Sequence, residues 1–84
     1  MINCVYFAWV REGIGCETES IAPPPDCLKV GDLILWLRGQ SSGHERVLSD
    51  LSALRFAINL DHASLESPIC DGDELAIFPP ITGG

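Results

Sequence analysis

Apolar and polar residues alternate through the first segment of the chain, residues 2–11. One face holds Ile2, Cys4, Tyr6, Ala8 and Val10, and the other holds Asn3, Val5, Phe7, Trp9 and Arg11. A two-residue period in a stretch rich in β-branched and aromatic residues predicts a β-strand. Because aromatic residues occupy both faces, we expect this strand to be covered on both sides.

The next segments predict a hairpin. Residues 12–15 have the composition of a turn, and residues 16–22 alternate as a charged edge strand does, with Glu17, Glu19 and Ile21 on one face and Thr18 and Ser20 on the other. The prolines at residues 23–25 lack the N–H group that a ladder needs, so we expect the second strand to end before them.

The apolar spacing then changes to that of a helix. Positions i, i+3, i+4 and i+7 of the next segment are apolar: Val30, Leu33, Ile34 and Leu37. Gly39 is suited to ending this helix, whereas Gly31 in its first turn costs about 1 kcal/mol relative to alanine. Residues 39–45 have loop composition, and residues 45–51 allow one further helical turn.

Three further strands are predicted in the second half. Residues 54–60 alternate, with four side chains expected to point inward: Leu54, Phe56, Ile58 and Leu60. A short strand is expected near residues 63–65. The Asp71-Gly72 pair is a strong turn signal before the last strand, residues 73–78. The two-residue period of that strand separates its inward side chains from its outward ones: Leu75 and Ile77 from Ala76 and Phe78.

This order of elements predicts an α+β fold. Its arrangement is that of the β-grasp, or ubiquitin-like, fold, with a mixed sheet of four to five strands and one main helix packed on one face. We expect one domain over residues 1–84, with a flexible C-terminal tail at about residues 79–84. A chain of this size buries only roughly 60–65% of its unfolded surface and has little room for a catalytic cavity of its own.

The net charge and the hydropathy of the chain limit where we expect the protein to be located and which classes of partner we expect it to bind. Twelve acidic and five basic residues give a formal net charge of −7, which opposes nucleic-acid phosphates and anionic membranes and favours basic protein surfaces. We therefore expect neither nucleic acid nor membrane as a partner, although the acidity is equally explained by solubility alone. Since no apolar run reaches the ~20 residues of a membrane span and the first residues lack the features of a signal peptide, we expect a cytoplasmic protein.

The cysteines and histidines do not indicate a metal site. The four cysteines contain no C-x-x-C pair, and His44 and His62 fall in polar, turn-like segments. In the cytoplasm the cysteines are expected to stay thiols: Cys4, Cys16, Cys27 and Cys70. Cys4, within the first strand, is expected to be a small buried hydrophobe.

The last segment, DGDELAIFPPITGG, is built to present the chain end. Pro79 and Pro80 donate no ladder hydrogen bond and project the chain as a stiff extended segment. Gly83 and Gly84 have no side chains, so the end fits a channel too narrow for other residues. The group left to react is the terminal carboxylate, which is ionised at neutral pH because its pKa is about 3.3–3.7.

A carboxylate is inert until it is activated. Attack on the α-phosphate of ATP would give an acyl-adenylate, which a sulfur or amine nucleophile could displace. The sequence contains no G-x-x-x-x-G-K-[ST] loop and no basic cluster, so we expect no cofactor bound by this chain and the activating machinery on other proteins. For the two glycines alone, a frayed terminus or a cloning remnant is the alternative.

These residues resemble the small, sulfur-carrier subunit family of molybdopterin synthase. The ending is similar to that family's ending, in which an Asp-Gly-Asp-Glu turn and strand lead to Phe-Pro-Pro, two variable residues and Gly-Gly. Near the start, YFAWVREGIG is similar to the family's Phe-Ala-x-Val-Arg-Glu segment, and AIN at residues 57–59 is similar to its Ala-Val-Asn. The matches span the chain in the right order.

The resemblance implies a β-grasp fold and a C-terminal thiocarboxylate on Gly84. An adenylyltransferase of the ubiquitin-activating type would use ATP and magnesium to form the Gly84 adenylate, and a sulfur donor protein would convert it to the thiocarboxylate. The tail would then enter the large subunit of molybdopterin synthase, which holds the catalytic residues, and sulfur would pass to cyclic pyranopterin monophosphate. The implied complex is a heterotetramer with two large subunits at its centre.

The resemblance also assigns roles along the tail. Gly84 carries the reacting group and Gly83 gives it passage. The residues implied to line the approach to the partner are Phe78, Pro79, Pro80, Ile81 and Thr82. Phe7 and Trp9 are further interface candidates because they share the strand face opposite Tyr6, and burial under a helix or loop is the alternative for both.

Other proteins end in the same two glycines. A related carrier for thiazole synthesis or tRNA thiolation would usually lack the Phe-Pro-Pro segment before the glycines. The presence of that segment therefore favours molybdopterin synthesis. A ubiquitin-like modifier would instead be joined through Gly84 to protein lysines, and a plain interaction domain would have a passive tail.

Overall fold

A mixed five-stranded sheet and three α-helices make up the fold. The computed structural model describes residues 1–80, which contain β1 (Ile2–Tyr6), α1 (Ala8–Ile14), β2 (Thr18–Ile21), α2 (Val30–Arg38), α3 (Ser42–Leu48), β3 (Arg55–Ile58), β4 (Asp61–Ala63) and β5 (Glu74–Phe78). A 3₁₀-helix spans Leu51–Ala53. The expected α+β class and β-grasp arrangement are confirmed, and two shorter helices accompany the main helix, α2.

The first and last strands pair in parallel at the centre of the sheet. The strand order is β2-β1-β5-β3-β4, and every neighbouring pair except β1 and β5 is antiparallel. In the parallel pair Cys4 lies beside Leu75 and Tyr6 beside Ile77. Because the two strands run the same way, their C-terminal ends lie at the same end of the sheet.

One face of this sheet and α2 enclose the hydrophobic core. All four residues of the predicted helical stripe are buried, and α2 ends at Arg38 with Gly39 as its C-cap, as predicted. The same buried cluster contains side chains of the central strands: Cys4, Tyr6, Phe56, Leu75 and Ile77. Burying one large apolar side chain contributes about 1.5–3 kcal/mol, so this cluster provides much of the stability of the fold.

The strand prediction for the first segment is wrong beyond Tyr6. The chain leaves the sheet there, and the residues predicted to form the rest of the strand and a turn form α1 instead. The expected antiparallel pairing of the first two strands is present, with Ile2 beside Ile21. A helix, rather than a tight turn, connects them.

Contacts within α1 and with the core explain why this segment is helical. Val10 is fully buried, and Ile14, one turn later on the same side, packs against the core. Gly15 adopts φ +99° and ends the helix, and its N–H donates to the carbonyl of Arg11 at 2.8 Å. A left-handed glycine cap and a buried apolar stripe therefore outweigh the strand preference of the local sequence.

The loop prediction for residues 39–45 is also wrong, because α3 begins at Ser42. The helical turn expected at residues 45–51 is the second half of this helix, which ends at Leu48. Ser41 caps the helix, since its hydroxyl oxygen accepts the backbone N–H of His44 at 3.1 Å. His44, expected on a polar turn, is instead buried in α3.

The third strand is shorter than predicted. Leu54 and Phe56 are buried as expected, but β3 ends at Ile58, and Leu60, predicted to point inward, is 87% exposed. Asn59 and Leu60 have φ values of 49° and 74° and form a turn. The following strand, β4, therefore starts at Asp61, two residues before the expected position.

The unfavourable glycine at the start of α2 has a packing explanation. The N–H of Gly31 donates to the carbonyl of Leu65 at 2.9 Å. A β-carbon at residue 31 would lie 3.2 Å from that oxygen. Glycine thus allows the segment that follows β4 to approach the first turn of the helix.

A second close approach, between α1 and α3, predicts the effect of one substitution. A β-carbon on Gly43 would lie 2.7 Å from the carbonyl oxygen of Gly13. We expect Gly43→Ala to lower the free energy of unfolding by about 1–3 kcal/mol because of overpacking, although alanine is the better helix former. Urea unfolding measures this change.

Gly39→Ala is the matched control. Gly39 has φ −82°, and a β-carbon there would meet its nearest neighbour, the carbonyl of Trp36, at an ordinary 3.5 Å. We expect its unfolding free energy to stay within about 0.5 kcal/mol of the parent value. If the two variants are equally stable, the close packing of α1 on α3 is not a constraint on stability.

Candidate functional site

The candidate site begins where β5 ends. Ile77 is buried in the core, whereas Phe78, the next residue, is half-buried on the opposite face, as the alternation predicted. The Phe78 ring lies 6.4 Å from the Phe7 ring at 86°, an edge-to-face arrangement, and 6.4 Å from the His62 ring. We call Phe7, His62 and Phe78 the aromatic cluster.

Phe7 and Trp9 reach the surface by a different route from the one predicted. They do not share a strand face: Phe7 is the extended residue before α1, and Trp9 lies in that helix. The Phe7 N–H donates to the carbonyl of Ile77 at 3.2 Å, which holds Phe7 beside the last strand. Phe7 is 46% exposed and Trp9 is 44% exposed, so neither side chain is buried under a helix or loop of residues 1–80.

Sequence reasoning missed His62 as a member of this site. His62 lies on β4 beside Ala57 of β3, and only this register brings its ring to Phe78. The strand β4 has only three residues and follows a turn with positive φ values. Its alternation is therefore too short to predict on which face His62 lies. Its sequence context gives no other signal.

The prolines mark the end of the sheet. The last pair in the ladder between β3 and β5 joins Arg55 and Phe78, and Pro79, which has no N–H, cannot extend it. Pro79 and Pro80 are half-buried. The remaining predicted tail residues lie outside the described part of the chain: Ile81, Thr82, Gly83 and Gly84.

A polar network supports the end of β1 from the other side. The Tyr6 hydroxyl donates to Glu19 Oε2 at 2.6 Å, and His44 Nε2 lies 2.7 Å from the same oxygen. Ser41 Oγ lies 2.7 Å from His44 Nδ1. We call Tyr6, Glu19, Ser41 and His44 the polar network; it ties together β1, β2 and the start of α3.

One carboxylate oxygen is shared by two partners in the polar network. Glu19 Oε2 accepts the Tyr6 hydroxyl and faces His44 Nε2, while Ser41 Oγ accepts the backbone N–H of His44. Partial burial acts to raise the pKa of Glu19, but hydrogen bonds from Tyr6 and His44 outweigh it and hold that pKa below its usual value.

The cysteines give no indication of a reactive centre near the tail. All four are free, and burial raises the pKa of the Cys4 thiol to about 12, so Cys4 is a neutral core residue. Within residues 1–80, no three histidine, cysteine or acidic side chains are grouped to hold a metal ion. No helix in this part of the chain is long and apolar enough to cross a membrane.

The fold and the site together define a ubiquitin-like domain: a β-grasp sheet whose last strand lies at the centre and ends beside exposed aromatic side chains. Comparison with family models gives a match to the ThiS family over residues 4–84. The chain belongs to the ThiS family, and the resemblance seen in its sequence is confirmed.

Individual relatives agree with this assignment. The molybdopterin synthase sulfur carrier subunit of Escherichia coli (strain K12) is 38% identical over 84 residues, with both chains covered completely. A putative molybdopterin converting factor, subunit 1, from Pyrococcus furiosus superposes with a TM-score of 0.76 at 27% identity, covering 95% of this chain and 97% of that one. The H. volcanii small archaeal modifier protein 1 superposes with a TM-score of 0.74 at 26% identity and the same coverage.

The polar network predicts a specific response to acid. Because the folded-state pKa of Glu19 is depressed, its ionised form stabilises the fold above the unfolded-state pKa of about 4.3, and this stability is lost as the pH falls through the folded-state value. We expect Glu19→Gln to lower the unfolding free energy at neutral pH by about 1–3 kcal/mol. The loss of stability on acidification should be smaller in the variant than in the parent, as urea titrations at a series of pH values would measure.

Glu45→Gln is the control for this prediction. Glu45 also has a lowered pKa, caused by its hydrogen bond from Arg38, but that ion pair is exposed to solvent. A surface ion pair of this kind contributes little to the free energy of unfolding. The stability of Glu45→Gln should therefore change with pH much as that of the parent does. If acidification lowers the unfolding free energy of Glu19→Gln as much as that of the parent, the proposed role of the polar network is contradicted.

Proposed function

We propose that this chain is the sulfur-carrier subunit of a molybdopterin synthase and that Gly84 carries the sulfur as a thiocarboxylate. The observation that supports this most directly is the end of β5, where the ladder stops at Phe78, a member of the aromatic cluster, and two prolines follow. Membership of the ThiS family over residues 4–84 and the name of the E. coli relative support the same function.

The proposed chemistry divides the work between this chain and its partners. An adenylyltransferase of the ubiquitin-activating type joins the Gly84 carboxylate to the α-phosphate of ATP with the help of magnesium, and pyrophosphate leaves. A sulfur donor protein then supplies hydrosulfide, which attacks the acyl carbon, so that AMP leaves and the thiocarboxylate remains. The chain itself binds no cofactor in this proposal, and the reaction takes place in the cytoplasm.

The second half of the proposed reaction takes place on the large subunit, which supplies the catalytic residues. The tail of the carrier enters that subunit, and the thiocarboxylate sulfur passes to cyclic pyranopterin monophosphate. Each pterin consumes two loaded carriers. Gly83 and Gly84 let the end pass through a narrow channel, because neither has a side chain.

The aromatic cluster is the proposed docking surface for the large subunit. Phe7 and Phe78 present apolar rings that are only partly covered by the domain itself, and His62 extends the same surface across β4. Trp9, on α1, adds an exposed ring. We propose that tail residues Pro79, Pro80, Ile81 and Thr82 line the approach, in a heterotetramer with two large subunits at its centre.

A protein modifier is the second candidate function. The observation that keeps it as a candidate is the superposition on a protein named small archaeal modifier protein 1. A modifier would form lysine adducts through Gly84, whereas a carrier would end as a free thiocarboxylate. The Phe-Pro-Pro lead and the name of the E. coli relative favour the carrier.

Thiolation can be observed directly. We expect incubation with an adenylyltransferase of the ubiquitin-activating type, ATP, magnesium and a sulfur donor to raise the intact mass by the difference between one sulfur and one oxygen atom. Deletion of Gly84 should abolish the increase, and omission of ATP is the control. An unchanged mass under all these conditions, together with lysine adducts in cells, would favour the modifier instead.

Docking can be tested at Phe78. We expect Phe78→Ala to weaken binding to the large synthase subunit by more than about 1 kcal/mol, because a half-buried aromatic ring at the centre of an interface is a typical anchor. Leu35→Ala is the control, since Leu35 is 68% exposed on α2, the helix that packs on the opposite face of the sheet. Titration calorimetry measures both affinities, and equal affinities would exclude Phe78 as an anchor.

A further inference from the structure

Two adjoining cavities lie at the end of the sheet opposite Phe78. Ile2, at the start of β1, pairs with Ile21, at the end of β2, whereas Phe78 ends β5, which runs parallel to β1. The larger cavity, of about 390 Å³, is bounded by the start of β1, the prolines after β2 and the segment before β5. The smaller cavity, of about 270 Å³, lies against α2. Because Pro24 and Cys27 line both, we call the two cavities together the distal groove.

Exposed apolar side chains are concentrated at the distal groove. Within residues 1–80, six large apolar side chains are exposed, and three of them line this groove: Met1, Leu28 and Leu35. Leu28 is 65% exposed and Leu35 is 68% exposed. Isolated exposed leucines are common, but several apolar side chains around one concave surface are typical of a binding site.

Hydrogen bonds hold the walls of the distal groove in place. The Ile69 N–H donates to the Leu28 carbonyl at 3.0 Å, and Asp32 Oδ2 accepts the Leu28 N–H at 3.1 Å. The three prolines at residues 23–25 restrict the backbone of another wall. The groove is therefore formed before a partner arrives, which lowers the ordering cost of binding.

The charges around the distal groove are mostly negative. Three carboxylates line it: those of Asp26, Asp32 and Asp71. The ammonium group of Met1, the one cation among the lining residues of the described chain, is already paired with Asp71. No ion pair within residues 1–80 includes Asp26 or Asp32. Burial and these two carboxylates raise the pKa of the Cys27 thiol, so their negative potential meets where the two cavities adjoin.

We propose that the distal groove binds a segment of another protein in which apolar side chains flank a lysine or an arginine. The apolar side chains enter the two cavities, and the cation lies between them beside Asp26. This surface is distinct from the aromatic cluster and lies at the other end of the sheet, so its partner can bind while the tail is engaged elsewhere. The proposal does not depend on the sulfur-carrier function.

The charge of the chain favours a basic partner over the other occupants of such a groove. A second copy of the chain carries the same net charge of −7, so self-association places like charges together. The same repulsion disfavours nucleic acid and anionic membranes. A basic protein segment, by contrast, gains electrostatic attraction to the unpaired carboxylates in addition to apolar burial.

Selection from a phage-displayed library of random peptides tests the chemistry of the partner. We expect peptides selected on the full chain to include a class with apolar residues on both sides of a lysine or arginine. In Trp9→Phe the remaining tryptophan is Trp36, which lines the smaller cavity. Peptides of this class should change its fluorescence on binding. If no selected peptide of this class does so, the proposal is overturned.

Matched variants of Trp9→Phe locate the bound peptide. Leu28→Ser should weaken its binding at least about fivefold, because it removes an apolar wall of the groove. Leu60→Ser is the control, since Leu60 is an equally exposed type of side chain on the turn between β3 and β4. Circular dichroism checks that both variants are folded. Equal affinities in Leu28→Ser and Leu60→Ser would overturn the proposal.

Salt titration tests the role of the carboxylates. We expect added salt to weaken peptide binding, and Asp26→Asn to weaken it about threefold at low salt and to reduce the salt dependence. Asp61→Asn, which removes an exposed carboxylate on β4, is the control for the change in net charge. Salt-independent binding would contradict the proposed cation. A dimer of the chain that Leu28→Ser abolishes would identify a second copy as the occupant and would also overturn the proposal.

Discussion

The parallel pairing of β1 and β5 is the constraint on which the rest of the structure depends. It sets the first and last strands side by side in the middle of the sheet, with Tyr6 next to Ile77. Their side chains join the buried face that α2 covers, and their ends emerge together. Phe7 and Phe78, more than seventy residues apart in sequence, meet for this reason. The candidate site is therefore a product of the sheet rather than of a loop.

The polar network secures the same end of the sheet by different chemistry. Tyr6 is buried in the core, yet its hydroxyl reaches Glu19 on the edge strand, and Glu19 also binds His44. Every polar side chain that is fully buried within residues 1–80 has a partner, so the network adds hydrogen bonds without leaving an unpaired group in the core. The residue that precedes Phe7 is thus held by both hydrogen bonds and packing.

The sequence predicted those parts of the fold in which local pattern and tertiary packing agree. The apolar stripe from Val30 to Leu37 and the alternation of β5 are long enough to identify a helix and a strand. Both elements are confirmed. The helix α1 could not be predicted from the local sequence, because its residues favour a strand. They are helical through tertiary contacts, those of Val10 and Ile14 with the core and of Gly13 with Gly43.

The same reasoning applies to the candidate site. The position of Phe78 followed from a two-residue period, whereas the place of His62 depends on the register between β3 and β4, which no local signal specifies. Phe7 and Trp9 were identified as interface candidates on a predicted strand, and that strand ends before them. The proposed roles of the terminal glycines rest on the family and the tail motif, since those residues lie outside the described part of the chain.

The central position of β5 also bears on how the protein is made. The strands that pair at the middle of the sheet come from opposite ends of the sequence, so the fold has many contacts between distant residues and must close a long loop before they form. A nascent chain cannot complete its sheet until residues 74–78 have left the ribosome. A chain that lacks β5 therefore has neither the parallel pair at the centre of the sheet nor the aromatic cluster, which needs Phe78.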